Sequence, residues 1–198
     1  KEIIIVDDGS TDGTEEVLKK YASTNLNVIR HPANRGKGAA IQSALRAITQ
    51  DIVIIQDADL EYRPEEYERL LQPIVAGAAD VVYGSRFVGS FPHRVLYFWH
   101  YFGNKFITFL TDILANLNLT DIETGAKVFT REAILSVQLK EQRFGFEPEV
   151  TIKLARKKWR FYEVGVSYFG RGYAEGKKIR WTDGIKALWV ILKYGLWG

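Results

Sequence analysis

Short apolar runs recur through the first half of the chain, each followed by a polar, glycine-bearing loop and then by a stretch of helical spacing. EIIIV (2–6) predicts a parallel strand buried on both faces, and DDGSTDGT behind it a turn-rich loop in which Ser10 or Thr11 caps a helix over about 12–23. NVIR (27–30) predicts a second strand, HPANRGKG a loop, AAIQSALRAI (39–48) a helix and DIVII (51–55) a third strand. Pro64 sits at a favoured first-turn position and opens a helix over 64–76, and DVVYG (80–84) reads as the next strand. The second half differs: aromatic helices over 95–118, a polar connector, a helix over 147–158, the strand FYEVGVSYF (161–169) and a last helix over about 181–197. Strands alternating with helices imply an α/β fold with a mostly parallel sheet flanked by helices. Such sheets bind ligands beyond the carboxyl ends of their strands. Asp7 and Asp8, the acids of 57–61, and Ser85 with Arg86 all fall at such ends, so they are expected to share one cleft.

Composition narrows this picture only modestly. With 198 residues, 46% apolar and 26% charged, the chain fits one globular domain spanning 1–198, with no linker or repeat to divide it. The net charge of +3 is compatible with anionic ligands or a lipid surface and is too small to argue for nucleic acid. Cysteine is absent, which excludes disulfides and thiolate metal sites. Methionine is absent too, even at position 1, so an earlier segment is expected to be missing. Neither VLYFWHYFGNKFITFL (95–110) nor IRWTDGIKALWVILKYGLWG (179–198) reaches the roughly 18 uninterrupted apolar residues of a membrane span. Amphipathic helices lying on a membrane fit them better.

The chemistry concentrates in DIVIIQDADLEYRP (51–64), where a strand runs straight into Asp57, Asp59 and Glu61. Three carboxylates crowded at a strand end need compensation, and oxygen-only ligands suit a hard ion such as Mg²⁺ or Mn²⁺ shared with substrate phosphates. Asp59 and Glu61, two apart, point to the same side of an extended chain, while Asp57 faces a ribose or the metal's outer ligands. In DDGSTDGT, Asp12 and Ser10 serve the turn and leave Asp8 free to accept a hydrogen bond from a base or ribose. NRGKGAA (34–40), with Lys37, lacks the spacing of a Walker phosphate loop but suits the wall of a nucleotide pocket. Arg86 follows a strand, and GRGYAEGKKIR (170–180) gathers Arg171, Lys177, Lys178 and Arg180 between glycines, as suits a loop closing over a leaving diphosphate. The three histidines are too scattered to form a catalytic or zinc cluster.

In order along the chain, IIIVDDGSTDGT, NRGKGAA, QDADLEY, YGSRF, DIETGAKVF, GFEPE and RGYAEGKKI resemble the motifs of family 2 glycosyltransferases, and most nearly the polyprenyl-phosphate sugar transferases typified by dolichol-phosphate mannose synthase. The resemblance implies a GT-A (Rossmann-like) fold and inverting transfer of a sugar from a UDP- or GDP-linked donor with Mg²⁺ or Mn²⁺. It makes Asp59 and Glu61 metal ligands. It sets Asp7, Asp8, Lys37 and Asp57 against the donor, with Arg86, Arg171 and Lys177 or Lys178 grasping phosphates. It places Asp121, Thr124 and Lys127 near the acceptor, so that Asp57, Asp59, Arg86 and Asp121 form the expected catalytic set. The family's opening strand has no match here, so the sheet is expected to lack its first strand.

Acceptor chemistry divides the remaining readings. A sugar hydroxyl needs a general base, for which Asp121, Glu123, Glu147 and Glu149 are the candidates. A lipid phosphate, with a second pKa near ~6, is already dianionic and attacks unaided. The sequence thus favours a polyprenyl (dolichyl or undecaprenyl) phosphate acceptor at the cytoplasmic face of a membrane. A soluble transferase acting on a saccharide hydroxyl, or a non-catalytic nucleotide-sugar-binding fragment, are the alternatives.

Overall fold

The computed structural model describes residues 1–21, 26–89, 92–95, 97–171 and 181–197. Strands β1 (Ile3–Asp7) and β2 (Leu26–Arg30) pair in parallel from Ile3↔Leu26 to Asp7↔Arg30. Helix α1 (Thr14–Lys20) is shorter than predicted and is capped by neither Ser10 nor Thr11. Its first residue follows Gly13 at φ 84°, a left-handed conformation that glycine adopts without penalty. The Ser10 amide instead donates to Asp7 Oδ1 at 2.9 Å, and Asp12 Oδ1 takes the Thr14 hydroxyl at 2.6 Å.

After α2 (Lys37–Leu45) come β3 (Ile52–Ile55), a 3₁₀ turn at Pro64–Glu66 leading into α3 (Tyr67–Val75), and β4 (Val81–Ser85). The second half supplies α4 (Phe98–Ala115), β5 (Lys127–Thr130), α5 (Arg131–Leu135), α6 (Phe146–Arg156), β6 (Phe161–Gly165) and α7 (Trp181–Leu196). The second sheet runs β3-β5-β4-β6. Its β4–β6 pairing is parallel, but β5 lies antiparallel to both β3 and β4. The expected mostly parallel sheet is therefore corrected to a mixed one. The polar connector hid β5, a four-residue strand, KVFT, that opens with a lysine. Its insertion covers the facing edges of β3 and β4 with backbone hydrogen bonds in antiparallel register. The sequence reading also expects a gap in the sheet, and among the described residues the strands do form two sheets, β1–β2 and β3-β5-β4-β6.

Alternation along β4 explains its complete burial. Val81 and Tyr83 point to one face, where they join Phe129, Phe146, Val150 and Leu154 under α6. Val82 points to the other, against Leu70, Ile74 and Val128 beneath α3. A third cluster, Ile152, Val190, Ile191 and Tyr194, seals α6 to α7, with Ile107, Leu110 and Leu114 of α4 packed on it.

Candidate active site

The acids fall where β1, β3 and β4 end on one side of the sheets, and the loop leading into β5 returns to the same side. At the end of β3 the chain turns instead of running on extended. Leu60 takes φ 63°, 89% exposed, and the Glu61 amide donates to Asp59 Oδ1 at 3.2 Å. A branched side chain in the left-handed region is held there only by its surroundings. This turn, and not strand alternation, brings the Asp59 and Glu61 carboxylates to one side.

The two carboxylates converge on a single cation, the Arg171 guanidinium. Its Nη2 lies 3.1 Å from Asp59 Oδ2 and its Nε 3.1 Å from Glu61 Oε1, while the Arg171 backbone amide donates to the same Glu61 oxygen at 2.9 Å. The Tyr168 hydroxyl donates to Glu61 Oε2 at 3.1 Å. Burial and the neighbouring acids Glu61 and Asp57 push the Asp59 carboxyl up, and Arg171 only partly offsets them. Arg171 is thus found on the acids, where the sequence reading set it on phosphate. Among the described residues no three carboxylates or histidines form a complete metal cage. Two convergent carboxylates still fit Mg²⁺ or Mn²⁺, which complete their shell with waters and substrate phosphates.

Asp57 stands beside this pair and is tied inward. Lys37 Nζ lies 2.9 Å from Asp57 Oδ2 and 2.9 Å from Glu147 Oε1. Burial pulls the Lys37 ammonium down, but the carboxylates of Glu147 and Asp57 more than offset it and hold it above the ordinary lysine range. Asp57 also needs Gly125: a Cβ there would stand 2.6 Å from Asp57 Oδ2 and 2.8 Å from Tyr62 Cε2. The Gly125 amide donates to the Tyr62 hydroxyl at 3.0 Å, which fixes the loop against the acid turn.

Asp8 is not the free acceptor the sequence suggested. Its carboxylate takes the Arg35 and Gly36 amides at 3.0 and 2.6 Å and the His31 ring at 2.6 Å, so it staples β1 to the 34–36 loop. Burial opposes its charge, but these hydrogen bonds outweigh burial and hold the carboxyl below its usual range. His31 also reaches Ser43 at 2.8 Å and so links Asp8 to α2, a role no motif announced. Asp7 is buried, holds the turn through Ser10, and faces Arg30 across the β1–β2 pairing at 3.6 Å.

Arg86 departs most from expectation. Its Nε and Nη2 bind Asp121 Oδ2 and Oδ1 at 2.6 and 2.7 Å, and its backbone amide adds a third bond at 3.1 Å. Asp121 is fully buried and also accepts from Asn104 at 3.1 Å. The expected phosphate-grasping arginine and acceptor-side acid therefore neutralise each other in the wall of the site. Thr124 is likewise internal, donating to the Gly84 carbonyl. Lys127 is buried beneath it, its ammonium bonded to the Thr124 carbonyl and 4.7 Å from the Tyr83 ring centroid. Burial draws this lysine down to about 8. Lys177 and Lys178 lie outside the described residues.

Of the four base candidates, Asp121 is taken by Arg86. Glu149 is fully buried on the Lys140 and Glu141 amides and Lys153. Glu123 and Glu147 each keep one buried oxygen, Oε1 and Oε2 respectively, without a hydrogen-bond partner among the described residues. Burial, and the Glu147 charge beside it, raise the Glu123 carboxyl to about 8.

Residues 1–137 match the family model described as glycosyl transferase family 2. Over 96% of its length the chain is 28% identical to the UDP-N-acetylglucosamine–dolichyl-phosphate N-acetylglucosaminyltransferase of Methanococcus voltae, of which it spans 83%. It is 28% identical, over 99% of its length, to dolichyl-phosphate beta-glucosyltransferase ALG5C of Trichomonas vaginalis, of which it spans 62%. The glucosyl-3-phosphoglycerate synthase of Mycobacterium tuberculosis, crystallised with Mn²⁺, UDP and phosphoglyceric acid, superposes with a TM-score of 0.73 at 20% identity, over 99% of this chain and 68% of that one. That likeness establishes the expected GT-A fold. With a family model matched across more than two thirds of its residues, the chain belongs to glycosyl transferase family 2.

Proposed function

We propose that this protein transfers a sugar, with inversion, from a nucleoside diphosphate to a polyprenyl phosphate at a membrane surface. The observation that carries the reading is the convergence of the Asp59 and Glu61 carboxylates on one cation beside Asp57. A divalent ion on this pair would neutralise the leaving diphosphate as its bond to the sugar breaks. The relative of the same fold that holds Mn²⁺ with UDP supports this assignment. Asp57, braced by Lys37 and Gly125, lines the donor side, and the loop fixed by Asp8 walls the nucleotide.

The acceptor assignment is supported by two dolichyl-phosphate transferases among the relatives and by the outer surface of α4 and α7. Phe98, Phe102, Phe106, Phe109 and Ile113 repeat every three or four residues along α4 and are all exposed. Trp189, Leu192 and Leu196 do the same on α7, which packs on α4. Meanwhile Thr108 and Thr111 point inward. An aromatic face turned outward, away from the cluster that packs α4 on α7, suits a lipid headgroup boundary. Among the described residues no helix is long and apolar enough to cross a membrane. A phosphate acceptor needs no base, and the commitment of Asp121 and Glu149 to structural bonds is consistent with that.

The test is a screen of UDP- and GDP-sugars against polyprenyl phosphate, with labelled product extracted into solvent, in Mg²⁺ or Mn²⁺ and again after chelation. Metal-dependent label in the lipid phase is expected. Transfer only to saccharides would overturn the acceptor assignment. That outcome is favoured by one observation, the unpartnered oxygens of Glu123 and Glu147, since a carboxyl poised near neutral pH suits a general base.

A further inference from the structure

We infer that Arg171 is an internal counter-cation that competes with the divalent ion for Asp59 and Glu61 and yields them only when metal and diphosphate arrive together. The inference rests on the proposed reading of these acids as the metal pair. Arg171 occupies the same oxygens that such an ion needs, Asp59 Oδ2 and Glu61 Oε1. A doubly charged ion bonded to those oxygens would stand within a few ångströms of the guanidinium, where like charges repel. The two occupants therefore exclude each other.

The geometry also makes the exchange feasible. At 3.1 Å both side-chain contacts are longer than the 2.7–2.9 Å usual for charge-assisted bonds, and the Arg171 side chain keeps 40% of its surface exposed. The Arg171 amide shares Glu61 Oε1 with its side chain, but the two residues before it are anchored independently of the carboxylates. Phe169 donates its amide to the Glu61 carbonyl at 3.0 Å, the Arg94 guanidinium donates to the Gly170 carbonyl at 3.0 Å, and Arg63 lies 4.2 Å over the Phe169 ring. The head group can thus turn away while residues 168–170 stay in place. Once released, its planar fork matches a phosphate better than an ammonium would. One cation passes from carboxylate to phosphate, so metal and nucleotide each favour the binding of the other, and by linkage the coupling is reciprocal.

The test is Mn²⁺ titration, followed by the electron paramagnetic resonance of the free ion, with and without UDP or GDP, on the wild type, Arg171→Gln, Arg171→Lys and Asp59→Asn. Without nucleotide, Arg171→Gln is expected to bind Mn²⁺ at least about fivefold more tightly, the low end of typical site-to-site coupling. The enhancement produced by nucleotide should shrink by a similar factor. Arg171→Lys, which keeps the charge, should stay near the wild type and so separates loss of charge from loss of fold. Unchanged or weaker Mn²⁺ binding by Arg171→Gln overturns the inference. If Asp59→Asn also leaves wild-type Mn²⁺ affinity intact, the metal reading itself fails. If Asp59→Asn weakens binding and Arg171→Gln does not tighten it, the counter-cation alone is wrong.

Discussion

Arg86 grips Asp121 at both carboxylate oxygens, 2.6 and 2.7 Å away, in a site where the acid has no exposed surface. Removing one partner of such a pair leaves a buried charge uncompensated, which costs about 3–5 kcal/mol. Arg86→Ala is therefore expected to lower stability by that amount in urea unfolding, with any loss of donor handling following from it. A loss below about 1 kcal/mol would show that the pair is not structural. The pH dependence has a defined sign. Burial opposes the Asp121 charge, but Arg86 outweighs it and holds the carboxyl below its usual 3.8. The stabilisation is present above about pH 4 and is lost as pH falls through the lower folded value. Arg86→Ala should remove that part of the acid transition.

Gly125→Ala tests the contact that places Asp57. The added methyl would meet Asp57 Oδ2 at 2.6 Å and the ring of Tyr62, which is buried and cannot retreat. Overpacking of this kind costs about 1–3 kcal/mol. It should also push Asp57 off Lys37 and raise the donor KM about tenfold. Gly103→Ala is the control, since nothing lies within 4 Å of its Cβ position and a helical glycine gains about 0.5–1 kcal/mol on becoming alanine. Equal donor KM values in the two variants would separate Asp57 from donor binding.

What the sequence made legible was local. β-branched runs predicted β1, β3 and β4 to within a residue or so at each end, although of the three only β4 is buried along its whole length, and β1, expected to be buried on both faces, leaves Ile3 exposed. The sequence also placed Asp59 and Glu61 on one side, although by the wrong backbone geometry. Long-range electrostatics were not legible. The partners of Asp8, Arg86 and Lys37 lie 23 to 28, 35, and 20 residues away in the chain, with Glu147 further still. Composition offers a phosphate and a buried carboxylate as equal partners for an arginine, and only the fold chooses. β5 was missed although Val128, Phe129 and Thr130 favour a strand: four residues behind the polar stretch 120–126 are too few to show a period, and the pairing with β3 and β4 is long-range.

Glu123 gives the protein an alkaline weakness. Burial, with Glu147 beside it, raises its carboxyl from 4.5 to about 8. Between those values the folded state holds a proton that the unfolded chain has released, so stability falls as pH rises. The slope is at most about 1.4 kcal/mol per pH unit for one proton. Lys127 tilts the other way above pH 8, where the unfolded chain binds the proton that its buried ammonium has given up. Glu123→Gln should therefore flatten the decline from about pH 5 to 8 and, since the Glu123 charge helps to hold the Lys127 ammonium up, start the rise at lower pH. Unfolding free energies measured in urea across that range provide the check. An unchanged slope would mean that Glu123 is ionised at neutral pH and paired with Lys127.

The outward aromatic face makes a prediction that stability measurements alone cannot satisfy. Trp99 on α4 and Trp189 on α7 are 76% and 62% exposed, so replacing both by alanine removes little packing and should change unfolding free energy by no more than about 0.5 kcal/mol each. If the face meets lipid, the same two side chains are buried in the bound state, where fully burying a large apolar side chain is worth about 1.5–3 kcal/mol. Partial insertion of the pair should then account for at least tenfold in partition, and Trp99→Ala/Trp189→Ala should bind anionic vesicles at least about tenfold more weakly in co-sedimentation. Transfer to a short-chain, water-soluble polyprenyl phosphate should be unaffected, because neither tryptophan touches the acid turn. If the face instead covers a second copy of the chain, wild-type protein without lipid will form dimers in sedimentation velocity that the double variant does not. If vesicle binding is unchanged, the aromatic stripe is not what holds the protein to a membrane.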